Sequence, residues 1–139
     1  MKQSRQKYRT LVTLARAARR RSVSPYSRFR VGAALLGRSG TAYTGCNVET
    51  SSYSLTICAE RTALFKALSE GEKHFQAIAI AADTDGFVPP CGACRQVLFE
   101  LAGDIDVILV TGRGRTRMIT LSELLPHPFT ARNLQKHRP

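Results

Sequence analysis

Residues Ala77–Val110, AIAIAADTDGFVPPCGACRQVLFELAGDIDVILV, decide how this chain folds. Ala77–Ala82 is a short, nearly all-apolar run suited to a strand covered on both faces, and Val107–Val110 reads as a second strand. Between them the loop Asp83–Pro90 leads to Cys91, and Gly92–Leu101 has the pattern of a helix. Helices placed between strands predict a layered α/β sheet.

The flanks repeat this alternation. Ile57–Glu70 (ICAERTALFKALSE) has the period of a helix, with Ala63, Leu64, Ala67 and Leu68 on one side and Gly71 as its stop. Arg30–Leu36 (RVGAALL) and Thr41–Cys46 (TAYTGC), joined by Gly37–Gly40, predict a hairpin. Arg115–Thr120 reads as a further strand and Leu121–Leu125 as a helical turn before a polar, basic tail over 130–139. Near the start, Tyr8, Leu11, Ala15 and Ala18 form a helical stripe, and Ser24-Pro25 ends it, so a basic first helix is expected within 1–22. An Arg-rich, acid-free, amphipathic start is also the composition of a mitochondrial transit peptide.

At 139 residues the chain has room for one domain, expected to span 1–139, and its 43% hydrophobic content is enough for a core. A two-domain cofactor enzyme and intrinsic disorder are both excluded as starting points. No apolar run approaches the roughly 18 residues of a membrane span, and no secretory signal pattern is present.

The net charge of +11 first suggests a nucleic acid or a membrane surface as partner. Its location argues otherwise. Residues 1–30 hold ten bases and no acid, and 111–139 hold six bases and one acid, whereas 31–110 hold five bases and nine acids. The basic character belongs to the ends, and the chemistry lies in the mildly acidic middle.

That chemistry rests on cysteines. Without a secretory signal, disulfides are the weaker reading of Cys46, Cys58, Cys91 and Cys94. Cys91-Gly-Ala-Cys94 is a close pair of the kind that chelates a metal or runs redox chemistry, and it opens a helix late in the chain. Cys58-Ala59-Glu60 opens another. If these two first turns converge, Cys58, Cys91 and Cys94 supply three thiolates to a tetrahedral zinc and leave its fourth position to water, the arrangement of a catalytic site. Glu60 then stands beside it as an acid and base. Cys46 is expected to be a small buried hydrophobe, and His74, His127 and His137, which lack metal-ligand spacing, to be surface residues.

Cys-Ala-Glu followed by Pro-Cys-x-x-Cys is the acid-plus-zinc pattern of deaminases acting on nucleobases. With it, Pro25–Ala34 (PYSRFRVGAA), Gly45–Glu49 (GCNVE), Cys58–Ala63 (CAERTA), Pro90–Gln96 (PCGACRQ) and Leu124-Leu125-Pro126 with Phe129 closely resemble the cytidine deaminase family, in its small homotetrameric form. The resemblance covers nearly the whole chain. It includes a helix over residues 4–21, which favours a structural first helix over a transit peptide.

The resemblance implies a three-layer α/β/α fold with a mixed five-stranded sheet. It implies one zinc per subunit and hydrolytic deamination of cytidine and deoxycytidine in pyrimidine salvage, in the cytoplasm. In that scheme zinc-bound hydroxide attacks C4, with Glu60 as catalytic proton shuttle and Arg61 hydrogen-bonded to the thiolate sulfurs. Asn47 and Glu49 bind the ribose, Phe29 packs on the pyrimidine, Tyr53 lies near a subunit junction, and Phe129 comes from a neighbouring subunit to share the active site. Nucleic acid is not required and no membrane is involved. A deaminase of bases in RNA or DNA, a blasticidin-type deaminase and a non-catalytic zinc module are the alternatives; the first two are disfavoured by Cys58 as first ligand and by Asn47-Val48-Glu49, and the module would not need Glu60.

Overall fold

The computed structural model describes residues 6–135. Five strands form one mixed sheet: β1 (Val31–Gly37), β2 (Ala42–Cys46), β3 (Phe75–Ala82), β4 (Asp106–Val110) and β5 (Thr116–Thr120). Their order across the sheet is β2-β1-β3-β4-β5, antiparallel except for the parallel β3–β4 pair. A parallel pair needs a crossover, and α3 (Gly92–Ala102) provides it. Before β3 comes α2 (Ala59–Ser69), and α1 (Arg9–Arg19) precedes the sheet. A four-residue α4 (Leu121–Leu124) is closed by a capping box of Thr120 and Glu123.

Period-2 alternation along β3 explains the layers. Ile78 and Ile80 join the core under α2 and α3, with Leu64, Leu98 and Val107, while Ala77, Ala79 and Ala81 face α1. The expectation of a doubly covered strand is borne out, as is the three-layer α/β/α arrangement. Tyr8, Leu11, Ala15 and Ala18 of the first segment are all buried, the first three in the cluster on the alanine face. A Cβ on Gly32 would stand 2.2 Å from the Ala15 carbonyl oxygen and 2.3 Å from the Arg19 nitrogen, so α1 rests directly on the β1 backbone. Gly45 plays the same part on the other face, where a Cβ would lie 2.5 Å from the Ala63 nitrogen of α2.

Within the basic tail Ala131–Leu134 form a helical turn, α5; residues 136–139, with His137, lie outside the described residues, as do residues 1–5 of the expected first helix. One expectation needs correcting. Cys46 is half-exposed rather than buried, because β2 is an edge of the sheet, and its thiol donates to the Arg21 carbonyl at 3.4 Å. His74 and His127 are exposed, as expected. No helix among the described residues is long and apolar enough to cross a membrane.

Candidate active site

The N-termini of α2 and α3 meet at one place. Cys58 and Cys91 are the cap residues of the two helices, both in extended backbone, and Cys94 lies one turn into α3. The three sulfurs lie within 4.8 Å of one another, and among the described residues they are the group able to hold a metal ion. A tetrahedral zinc with Zn–S bonds of about 2.3 Å requires sulfurs about 3.8 Å apart. The Cys58 and Cys91 sulfurs are 3.8 Å apart. Three soft donors without a fourth protein ligand suit zinc with one position left for a small molecule.

Electrostatics follow from the crowding of these sulfurs. Cys58 is pulled down to about 5, chiefly by the facing Cys94 thiol and then by the Arg61 guanidinium. Arg61 Nη2 donates to the Cys58 sulfur at 3.4 Å, and the same pairing raises the Arg61 pKa. Cys94 is pushed up by its neighbour Cys58 and by burial. The protein alone therefore favours the Cys58 thiolate next to the Arg61 cation, and a metal that binds Cys94 must displace its thiol proton. Arg61 Nε is a buried donor without a partner among the described residues, which leaves its edge free beside the sulfurs.

Glu60, in the first turn of α2, is only 4% exposed, and burial raises its pKa. It lines a cavity of about 240 Å³ with Phe29, Asn47, Cys58 and Cys91, walled by Ile80 and Val88–Pro90. A carboxyl that holds its proton more readily than usual, next to a metal position, is equipped to accept and return a proton. Cys58 stands outside the regular helix, so the two residues converge although positions i and i+2 of a helix do not.

Of the substrate residues expected from the sequence, Phe29 and Asn47 line this cavity. Asn47 is largely engaged with the backbone: its Nδ2 donates to the Phe29 carbonyl at 2.7 Å, and its Oδ1 accepts from the Val31 nitrogen at 3.0 Å and from the Ser22 hydroxyl. Glu49 and Tyr53 line an adjoining hollow of about 400 Å³, and Thr56 borders both spaces. Glu49 accepts from the Tyr26 and Ser27 nitrogens, each at 3.1 Å, and from the Ser27 hydroxyl, which lowers its pKa. Phe129 lies apart, beside Phe99 and Arg132, and is 60% exposed.

The sequence reading missed the residues that hold this frame. Arg95 donates from Nε to the Pro90 carbonyl at 2.7 Å and from Nη1 to the Leu124 carbonyl at 2.8 Å, fixing the loop that delivers Cys91. Gln96 Nε2 donates to the Phe129 carbonyl at 2.8 Å. Asp83 receives two arginines. Their sequence positions carry no signal for these contacts, which apart from Arg95–Pro90 span tens of residues.

Comparison with known proteins agrees with this geometry. The family described as "Cytidine and deoxycytidylate deaminase zinc-binding region" matches residues 5–111. The chain is 54% identical over 125 residues to a cytidine deaminase of Halalkalibacterium halodurans, covering 89% of this chain and 95% of that one. It is 50% identical over 125 residues to one from Sporosarcina psychrophila, covering 89% and 92%. The crystal structure of a cytidine deaminase from Burkholderia pseudomallei superposes with a TM-score of 0.85 at 46% identity, covering 88% of this chain and 98% of that one.

Proposed function

We propose that this chain, which belongs to the cytidine and deoxycytidylate deaminase family, hydrolyses the 4-amino group of cytidine and deoxycytidine, yielding uridine, deoxyuridine and ammonia. Support comes above all from one juxtaposition: buried Glu60 shares a cavity with Cys58 and Cys91, whose sulfurs together with that of Cys94 suit zinc. Zinc held by Cys58, Cys91 and Cys94 supplies Lewis acidity that brings the pKa of a water toward neutrality.

The rest is done by the chain's own groups. Glu60 accepts a proton from water and delivers it to ring N3, so that hydroxide adds to the electrophilic C4; it then takes the proton of the new C4 hydroxyl and passes it to the amino group, which leaves as ammonia while C4 becomes the carbonyl. Its burial favours the protonated state that must be reached midway. Arg61 offsets thiolate charge that would otherwise oppose ionisation of the water.

Phe29 packs on the pyrimidine, and the sugar extends past Thr56 into the hollow where Glu49 accepts a ribose hydroxyl. Asn47 retains one amide hydrogen for the same purpose. Glu49, held ionised by its three donors, repels a phosphate and favours nucleosides over nucleotides.

The active form is a homotetramer of single domains spanning 1–139. Phe129, 60% exposed, is presented to a neighbouring subunit's site, and Tyr53, 73% exposed, lies at the junction. Cytoplasmic salvage of pyrimidines suits a chain whose four cysteines are all free, because the zinc ligands must stay reduced.

The reading is tested by an ultraviolet assay offering cytidine, deoxycytidine, cytidine monophosphate and a short single-stranded oligonucleotide in parallel. Turnover of both nucleosides with little of the nucleotide is expected. Conversion of the oligonucleotide but not the nucleosides would overturn it.

A further inference from the structure

Asp83 carries two guanidiniums on one carboxylate. Arg19 Nε lies 2.9 Å from its Oδ1, and Arg30 Nε and Nη2 each lie 2.9 Å from its Oδ2. These are the ion pairs among the described residues, and they differ in setting. The Arg19 side chain, at the C-terminal end of α1, is 12% exposed and also reaches the Ala82 carbonyl; the Arg30 side chain is 50% exposed.

The positions of the partners give the two pairs different work. Arg30 sits between Phe29 and Val31, which line the catalytic cavity, and Asp83 begins the loop that ends in Val88–Pro90, which line it as well. The Arg30–Asp83 pair therefore ties two lining segments of the cavity to each other. The loop is also held through the Thr84 carbonyl to the Gly112 nitrogen at 2.8 Å, through Phe87 under the Arg115 guanidinium at 5.3 Å, and at its end through the Pro90 carbonyl to Arg95 Nε at 2.7 Å, but none of these reaches the Phe29–Val31 segment. Arg19, in contrast, ties the end of α1 to the end of β3, on the side of the sheet that holds no catalytic group.

We propose that Asp83 is a positioning residue with divided duties: its pair with Arg30 sets the spacing of the cavity walls around the pyrimidine, and its pair with Arg19 secures the docking of α1. The inference rests on the deaminase reading above. Arg30 touches no reacting atom and works through Phe29, so its loss should weaken substrate binding more than chemistry. A pair this exposed is also screened by salt.

The test uses the zinc-loaded full chain with cytidine as substrate. Arg30→Gln should raise KM about tenfold while kcat stays within about twofold. Zinc content and Tm should not change. Arg19→Gln, with Arg19→Lys as the milder variant should it fail to fold, should lower Tm and leave KM unaltered. Asp83→Asn should do both, and adding Arg30→Gln to it should raise KM no further.

KM of the unaltered protein should rise between about 0.05 and 0.5 M salt, a response absent from Arg30→Gln. Hydrogen exchange supplies a readout independent of turnover: Arg30→Gln should speed exchange at residues 84–88, and Arg19→Gln should not do so selectively. An unaltered protein that ignores cytidine would sink the deaminase reading, and exchange alone would then judge the pair. An active one in which Arg30→Gln leaves KM and loop exchange unchanged, or in which KM and Tm move together in every variant, would overturn the division of duties.

Discussion

The two faces of the sheet are built from the same strands and do different things. Under α1 the strands present Ala34, Ala77, Ala79 and Ala81, and nothing on that face carries chemistry. Under α2 and α3 they present Leu35, Ile78, Ile80 and Leu109, and the helices covering them begin with Cys58 and Cys91. Packing is thus the whole task of one face, whereas on the other the packing also aims two helix N-termini at one point. Damage to the first should cost stability alone, and damage to the second should cost function first.

Glu60→Gln should break the comparison most visibly. Turnover is expected to fall about a thousandfold or more, the scale of a lost proton shuttle, with zinc content and Tm preserved. Assays of kcat beside metal analysis check this, and ordinary activity with intact zinc would refute the role of Glu60.

Paired glycine variants sharpen the contrast. Gly32→Ala and Gly45→Ala each drive a Cβ into backbone atoms closer than 3.0 Å, so each should lose roughly 3 kcal/mol. Only Gly45→Ala displaces α2, which carries Cys58 and Glu60. Metal titration of the folded fraction should show weakened zinc binding there and unchanged binding in Gly32→Ala.

Arg61→Ala should lower zinc affinity or activity about 10- to 100-fold while circular dichroism stays the same.

The smallest effect belongs to the α1 face. Tyr8 donates from its hydroxyl to Asp106 Oδ2 at 2.8 Å, and burial, with that carboxylate, pushes it up to about 12. Tyr8→Phe should cost about 1 kcal/mol near neutral pH. Because the folded-state pKa is above that of the unfolded chain, the contribution is fully present below about pH 10 and lost as pH rises toward 12. Melting curves of the two proteins should accordingly converge over that window, with no accompanying change in kcat at pH 7.

Much of this organisation was legible in the residues. Long periodic segments gave correct elements, and the nearly all-apolar run of β3 declared that both of its faces are covered. Cys58, Glu60, Cys91 and Cys94 were legible because first-turn positions of two helices have few ways to share a metal. Less legible were features that depend on which chain segments become neighbours. Asn47 reads as a sugar ligand yet spends most of its amide on the Phe29–Val31 backbone, and Glu49 faces a hollow beside the cavity. Cys46 lies on an edge strand, a position its residue type did not disclose.

The sequence by itself determined the alternation of elements, the donor set for zinc and the acid beside it, because these follow from local periodicity and from the few chemistries open to three cysteines and a glutamate. Tertiary structure alone decided the 3.8 Å approach of Cys58 and Cys91, the burial that raises the Glu60 pKa, and the meeting of Arg19 and Arg30 on Asp83. The physical reason is distance along the chain. Groups 33, 53 or 64 residues apart become neighbours only when the sheet is assembled, and their charges and solvation are properties of that assembly.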